Sequence, residues 1–325
     1  MIPFRTELNI EANPDKIEYG SKILSIGSDY SNTMMDQMAK YKFQVNSNPY
    51  GTIYNPISIY NLIKTSLDNT PIDQSLVTAT EGIWNHFDFH YDAHASSQAE
   101  LISNLQQRVS DTRDYLQHTD FLFLTFGSAY IFKKTKNNRV VANCHRAPAN
   151  EFHKSLLTPT EIVDGFRGIY SRLNHVKNIV LIVSPVMHTR DSLTLNAVSK
   201  SVLRLACHLI KAEFPYVKYF PAYEFMTSDL RDYRYYQSDL LHPTDAAMDY
   251  IFGKFVEAYM NNESKACIRE VEQIMELLNA KPYNPQSEQY INYLKEAIER
   301  LEGLLDKMDV SEWINQLRAQ IKVGI

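Results

Sequence analysis

Apolar and polar positions change rhythm along this chain, and the changes mark its elements. Residues 22–27, 121–126 ("FLFLTF") and 178–184 ("NIVLIVS") are near-continuous apolar runs that stop at small polar residues. Runs of that length read as strands buried on both faces. A weaker strand is expected at 41–45 and a further one at 217–223, while 129–132 and 139–143 flank "KKTKNN" as a hairpin. Between the strands the spacing becomes helical: Leu101, Leu105 and Val109 recur at every fourth position within 96–117. Thr158-Pro159-Thr160-Glu161 carries an N-cap threonine, a first-turn proline and a glutamate at the third helical position, so a helix runs from there to about 174. Further helices are predicted at 193–213 and 244–260. Strands alternating with helices predict an α/β domain whose mainly parallel sheet is covered on both faces and joined by right-handed connections.

After Asn261-Asn262-Glu263 the pattern changes. Residues 264–325 are rich in Glu, Lys, Leu and Ile, interrupted by "KPYNPQSEQ". The division expected is an α/β domain over 1–262 and a helical hairpin or small bundle over 263–325, its charged faces solvated.

Composition narrows the classes. With 44% hydrophobic and 22% charged residues the chain is a folded globular protein rather than a disordered one. A net charge of −5 supplies no basic face for nucleic acid. Cys144, Cys207 and Cys267 are odd in number and far apart, which excludes a CxxC zinc knuckle or a disulfide framework. No apolar run approaches the ~18 residues of a membrane span, and the first residues lack a signal peptide's apolar segment. The expectation is a cytoplasmic protein with reduced thiols.

In an open α/β sheet, ligands bind beyond the carboxyl ends of the strands. The residues predicted there are Gly27-Ser28, Gly127-Ser128, Ser184 with His188 soon after, and Tyr223-Glu224; "SDLLHPTD" precedes the last helix of the α/β domain. Asp239 and His242 are three apart, so the carboxylate can hold one imidazole nitrogen and leave the other free to take a proton. Without chemistry, Asp239 or Thr244 caps a helix and His242 is a surface residue. Ser28 likewise is either a nucleophile or a helix N-cap. A second constellation is "WNHFDFHYDAH": in an extended strand His86, Asp88, His90, Asp92 and His94 would share one face, as a pocket wall, a plain surface or a metal site.

"IGSDYS", "NPYGTIYNPISI", "FLTFGSAYIF", "VANCHRAP", "VSPVMHTRD" and "DLLHPTDAAMDYIF" together resemble, in that order, the blocks of bacterial GSCFA-domain proteins, placed among the SGNH/GDSL-like hydrolases. The resemblance spans roughly residues 4–260. It implies a flavodoxin-like three-layer α/β/α sandwich and a serine esterase or acyltransferase-type site that needs no cofactor. On that pattern Ser28 is the nucleophile, His242 the base and Asp239 its orienting carboxylate, with the backbone N–H groups of Ser28 and Gly51 holding the oxyanion. The chain departs from the pattern in two places. Residues 29–31 are Asp-Tyr-Ser rather than Cys-Phe-Ala, and Gly127-Ser128-Ala129 lacks the asparagine of the Gly-x-Asn block, so Ser128 or Asn143 would supply that donor. Aligned glycine to glycine with the wider Gly-Asp-Ser motif, the nucleophile position is Asp29. The substrate expected is an acyl ester, of a carbohydrate or another small molecule, contacted by Tyr54, His90, Arg146 and His188 on a tyrosine-rich rim. The alternatives are a catalytically degenerate binding protein on the same fold and a metal-dependent hydrolase using the His86–His94 face.

Overall fold

The computed structural model describes residues 6–190 and 192–323; the first residues read for a targeting segment, and Asp191 of "VSPVMHTRD", lie outside them. Strands β1 (Ile23–Gly27), β2 (Val45–Ser47), β5 (Phe121–Phe126), β9 (Asn178–Val183) and β10 (Val217–Phe220) form one parallel sheet in the order β10-β9-β5-β1-β2. Two small antiparallel units lie outside it. They are the hairpin of β3 (Val77–Thr80) with β4 (Ile83–His86), and a sheet in which β6 (Tyr130–Lys134) pairs with both β7 (Val140–Val141) and β8 (Phe152–Leu156). The β6–β7 pairing is the hairpin read around "KKTKNN"; β8, a half-exposed and polar strand, gave no apolar run to announce it.

Every residue of β1, β5 and β9 is buried, because helices cover both faces. Side-chain alternation sorts them. Phe121, Phe123, Val180, Ile182 and Phe220 pack with Met34, Met35 and Met38 of α1 (Asp29–Lys40) and with Ile251, Phe252 and Phe255 of the helix at Asp245–Tyr259. Leu122, Leu124, Phe126, Leu181 and Val183 face α2 (Pro56–Asp68), α3 (Gln98–Leu116), α4 (Pro159–Tyr170) and α5 (Leu193–Glu213). The capping box at Thr158–Glu161 is formed, both its halves present. A short turn, α6 (Ala222–Glu224), follows β10, and α7 is the helix at Asp245–Tyr259.

The C-terminal region is three helices, α8 (Asn262–Asn279), α9 (Glu288–Glu302) and α10 (Ser311–Val323). Val271, Ile274, Leu294, Leu301, Val310 and Leu317 belong to the same apolar cluster as α1 and α7. They therefore extend the core on one face of the sheet. Among the described residues no helix is long and apolar enough to cross a membrane.

Register positions the site. Gly27 pairs with Thr125, and Phe126 with Val183, so β1, β5 and β9 end at one edge. The loop after β2 crosses that edge: Ile53 N–H donates to Gly27 C=O, and Gly127 and Ser128 N–H both donate to Tyr54 C=O. Gly27 is obligatory here, since an added Cβ would lie 2.1 Å from the Thr125 carbonyl oxygen. Gly27→Ala should therefore destabilise the chain by about 2 kcal/mol or more, read as a lower urea midpoint; an unchanged midpoint would contradict this packing.

Candidate active site

The strand order reverses beside β1: the chain goes from β1 to β2 on one side and to β5 on the other. Such a reversal leaves a crevice at the carboxyl ends of the two diverging strands. The residues around it are Ser28 and Asp29 after β1, Gly127 and Ser128 after β5, Tyr54 from the crossing loop, His188 after β9, and His242 from the loop before α7.

The imidazole of His242 stands between two carboxylates. Its Nδ1 lies 2.6 Å from Asp239 Oδ2, and its Nε2 lies 3.4 Å from Asp29 Oδ2. Asp239 is itself oriented by accepting the Leu241 and His242 backbone N–H groups at Oδ1, at 2.8 and 3.1 Å. Those backbone hydrogen bonds, then the imidazole, hold the Asp239 carboxyl down at about 2. Partial burial opposes a charged His242, but Asp239 and Asp29 outweigh it and raise its pKa above the ordinary histidine value. The three-residue spacing works as read, because Leu240 takes a left-handed φ of 61° that turns the loop back on itself.

Ser28 is placed differently from the expectation. It is fully buried, its Oγ has no hydrogen-bond partner, and neither His242 nor the helix receives it. It occupies the N-cap position without capping. Its backbone N–H donates to Thr125 C=O at 3.0 Å, so it is not free to hold an oxyanion. Gly51 N–H donates to Asn48 C=O at 2.7 Å and is likewise engaged; Gly51 itself lies against His90, leaving no room for a side chain. Ser128 N–H is taken by Tyr54, and Ser128 Oγ accepts from Tyr130 N–H and meets Ser199 Oγ. Asn143 Oδ1 accepts from His145 N–H, and Asn143 N–H donates to Phe87 C=O, which ties it to the neighbouring loop.

Asp29 is the residue that faces His242. It opens α1, a third of its side chain is exposed, and its Oδ1 accepts the Tyr30 N–H at 3.0 Å. The glycine-to-glycine register thus puts the residue two after Gly27 opposite the imidazole. The reason is geometric: β1 must end in extended backbone to pair with β5, so the first side chain to clear the sheet edge is that of the first helical residue.

Beneath this surface lie two groups of unusual protonation. Lys200 of α5 is buried, and its Nζ donates to Gly127 C=O at 2.9 Å and Ser184 C=O at 2.7 Å, tying the ends of β5 and β9 together. Burial lowers its pKa to about 7, partly offset by the charge of Asp29. The His188 Nε2 is buried without a partner and lies 3.0 Å from where a Gly127 Cβ would be, beside Tyr54 and Ser28. Burial, then the nearby Lys200, lowers its pKa to about 4, so the ring is neutral at neutral pH. Its ring meets Tyr54 edge to face at 5.1 Å.

The "WNHFDFHYDAH" segment is not one extended strand. β4 ends at His86, and the chain then turns, Phe89 N–H donating to His86 C=O and Ala93 N–H to His90 C=O. Burial of both Phe87 and Phe89 goes with these turns, and the polar groups disperse: His86 Nε2 donates to Asp73 C=O, Asp88 pairs with Arg139, and His94 meets Tyr91 C=O. Among the described residues no three His, Cys, Asp or Glu groups come together as a metal site. His90 pairs with Asp92 at 3.3 Å, next to Gly51 on the crossing loop. Arg146 is exposed in a left-handed turn, following His145, whose Nε2 donates to His86 and Phe89 C=O. A groove of about 950 Å³ between Asn69 and Ser110 contains no titratable side chain and does not include the strand ends.

Lys200 is the site residue the sequence reading missed. Its signal was a lysine on the same helical face as Asn196, Leu203 and Cys207, all buried. Asn48, also missed, braces the turn by accepting Gly27 N–H at 2.7 Å.

The model of the GSCFA family matches residues 22–255, and that of the GSCFA domain protein, C-terminal domain, matches residues 271–323. The chain belongs to the GSCFA family. No curated protein matches it. The family match spans all five strands of the parallel sheet and both partners of the Asp29–His242 contact.

Two titrations follow. Asp29→Asn and Asp239→Asn should each lower the His242 pKa, read from the imidazole Cε1–H resonance; no movement in either would refute the two-carboxylate arrangement. For Lys200, the unfolded chain carries a proton between about pH 7 and pH 10.5 that the folded chain lacks, so folding gains stability as pH rises through that window. The stability of wild type relative to Lys200→Met should rise on the order of 2 kcal/mol from pH 7 to 9 in urea unfolding. A pH-independent difference would mean that the ammonium is not destabilised by burial.

Proposed function

We propose that this GSCFA protein is an esterase or acyltransferase-type hydrolase of the SGNH kind, acting on an acyl ester of a carbohydrate or another small molecule. The strand order 2-1-3-4-5 counted along the main sheet, with helices on both faces, is that of flavodoxin-like sandwiches and supports this placement. One observation carries the chemistry: Asp239 holds His242 Nδ1 at 2.6 Å and leaves Nε2 directed at the first strand-to-helix turn. An imidazole so held takes a proton from an attacking water or acceptor alcohol and returns it to the departing alcohol. Asp29, 3.4 Å from Nε2, stands where the attacking O–H would be received. In its Nε2–H tautomer the neutral His188, whose buried Nε2 has no partner, would donate to a developing oxyanion that reaches it, in place of the absent Gly-x-Asn asparagine. Tyr91, exposed beside His90 and close enough to act on Tyr54, offers an aromatic face for a sugar ring.

A second reading is a binding protein on a degenerate hydrolase fold. The observation favouring it is that, among the described residues, the His242 ring nitrogens meet only Asp239 and Asp29, while Ser28 Oγ is buried without a partner and the Ser28 and Gly51 N–H groups are engaged. Turnover of 4-nitrophenyl acetate and of peracetylated sugars separates the two. His242→Ala should cut turnover about 100-fold or more while the protein stays folded by circular dichroism. Absence of turnover in wild type, together with sugar-ester binding indifferent to His242→Ala, would establish the binding reading instead.

A further inference from the structure

The hydroxyl that the family resemblance nominates is buried, and a carboxylate occupies the reachable position opposite the base. Ser28 is fully buried, whereas Asp29 is about a third exposed and faces His242 Nε2. We propose that Asp29 is a covalent nucleophile toward saturated carbon, and that the site hydrolyses epoxides or similarly activated alkyl carbons through an ester on Asp29. The inference rests on the reading of Asp239 and His242 as an acid–base pair, and extends it to a second substrate class.

A carboxylate attacking an ester carbonyl forms a mixed anhydride, less stable than the ester it came from. Attack on a strained saturated carbon instead forms an ordinary ester, and a neighbouring imidazole is placed to hydrolyse it. In the first step an Asp29 oxygen bonds to an epoxide carbon as the ring C–O bond breaks, and the bonding pair stays on the ring oxygen. That oxygen takes a proton from the Tyr54 hydroxyl, which burial, then the charge of Asp29, keeps protonated up to about 12. Water next adds to the Asp29 carbonyl carbon, its proton passing to His242 Nε2. The tetrahedral adduct expels the alkoxide, which takes that proton from His242. The proton remaining on the regenerated carboxyl returns to Tyr54. The sum is epoxide plus water giving a diol. Tyr30 N–H, already bonded to Asp29 Oδ1 at the start of α1, is positioned to steady charge on that oxygen during ester hydrolysis.

The test uses the full chain and 1,2-epoxy-3-(4-nitrophenoxy)propane. His242→Gln should accumulate one adduct per chain, mapped by peptide mass to Asp29, with release at least about 100-fold slower than in wild type. In wild type, a single turnover in H₂¹⁸O with enzyme in excess should place the label in the Asp29 carboxyl and none in the diol. Label in the diol with Asp29 unlabelled, or no adduct on folded His242→Gln protein, overturns the proposal. If 4-nitrophenyl acetate turnover still depends on His242 in that event, the acid–base reading survives and only the covalent role of Asp29 is lost. If neither reaction depends on His242, both fall together.

Discussion

The parallel register of β1, β5 and β9 is the constraint on which the site depends. Because Gly27 lies opposite Thr125 and Phe126 opposite Val183, three strands end on one line and their loops must share the space beyond it. Close approach is possible there because Gly27 and Gly127 have no side chain to fill the gaps against Thr125, Tyr54 and His188. A shift of one residue would invert every side chain between the two apolar clusters. The same pairing that buries Phe121, Phe123, Leu122 and Leu124 on opposite faces therefore also fixes where Asp29, Tyr54 and His188 meet.

Charge in the crevice is organised in layers. At the surface one imidazole lies between Asp29 and Asp239, and both carboxylates favour its protonated form. Below it, neutral His188 and the buried Lys200 are kept from full charge by desolvation. Lys200 also has a mechanical role, since its Nζ joins the carbonyls that follow β5 and β9. An imidazole whose pKa is raised thus lies above two groups that burial keeps from full charge.

The C-terminal helices bear on this only indirectly. They extend the apolar cluster of α1 and α7, and Tyr41, just past the end of α1, donates to Glu272 of α8 at 3.0 Å. The helix whose first residue is Asp29 is thus anchored at its far end by the C-terminal region.

Much of the architecture was legible in local pattern. Continuous apolar runs marked β1, β5 and β9, four-residue spacing marked α3, and Thr158 with Glu161 announced α4, because burial on two faces, helical periodicity and capping are each properties of neighbouring residues. The Asp239–His242 pair was legible for the same reason, its partners being three residues apart. By itself the sequence determined the α/β alternation, the three central strands β1, β5 and β9, the helices α3, α4, α5 and α7, and this dyad. It did not determine which side chain after Gly27 faces His242, that the Ser28 and Gly51 N–H groups are engaged, that "WNHFDFHYDAH" turns instead of extending, or that Lys200 points inward. Three of these depend on partners distant in the chain, Thr125 for Ser28, His242 for Asp29, and Gly127 and Ser184 for Lys200, while the Gly51 bond to Asn48 and the turns after His86 are local but carry no apolar rhythm to announce them. Only the closed tertiary structure decides between a buried hydroxyl and an exposed carboxylate, because the sheet edge selects the residue that first clears it.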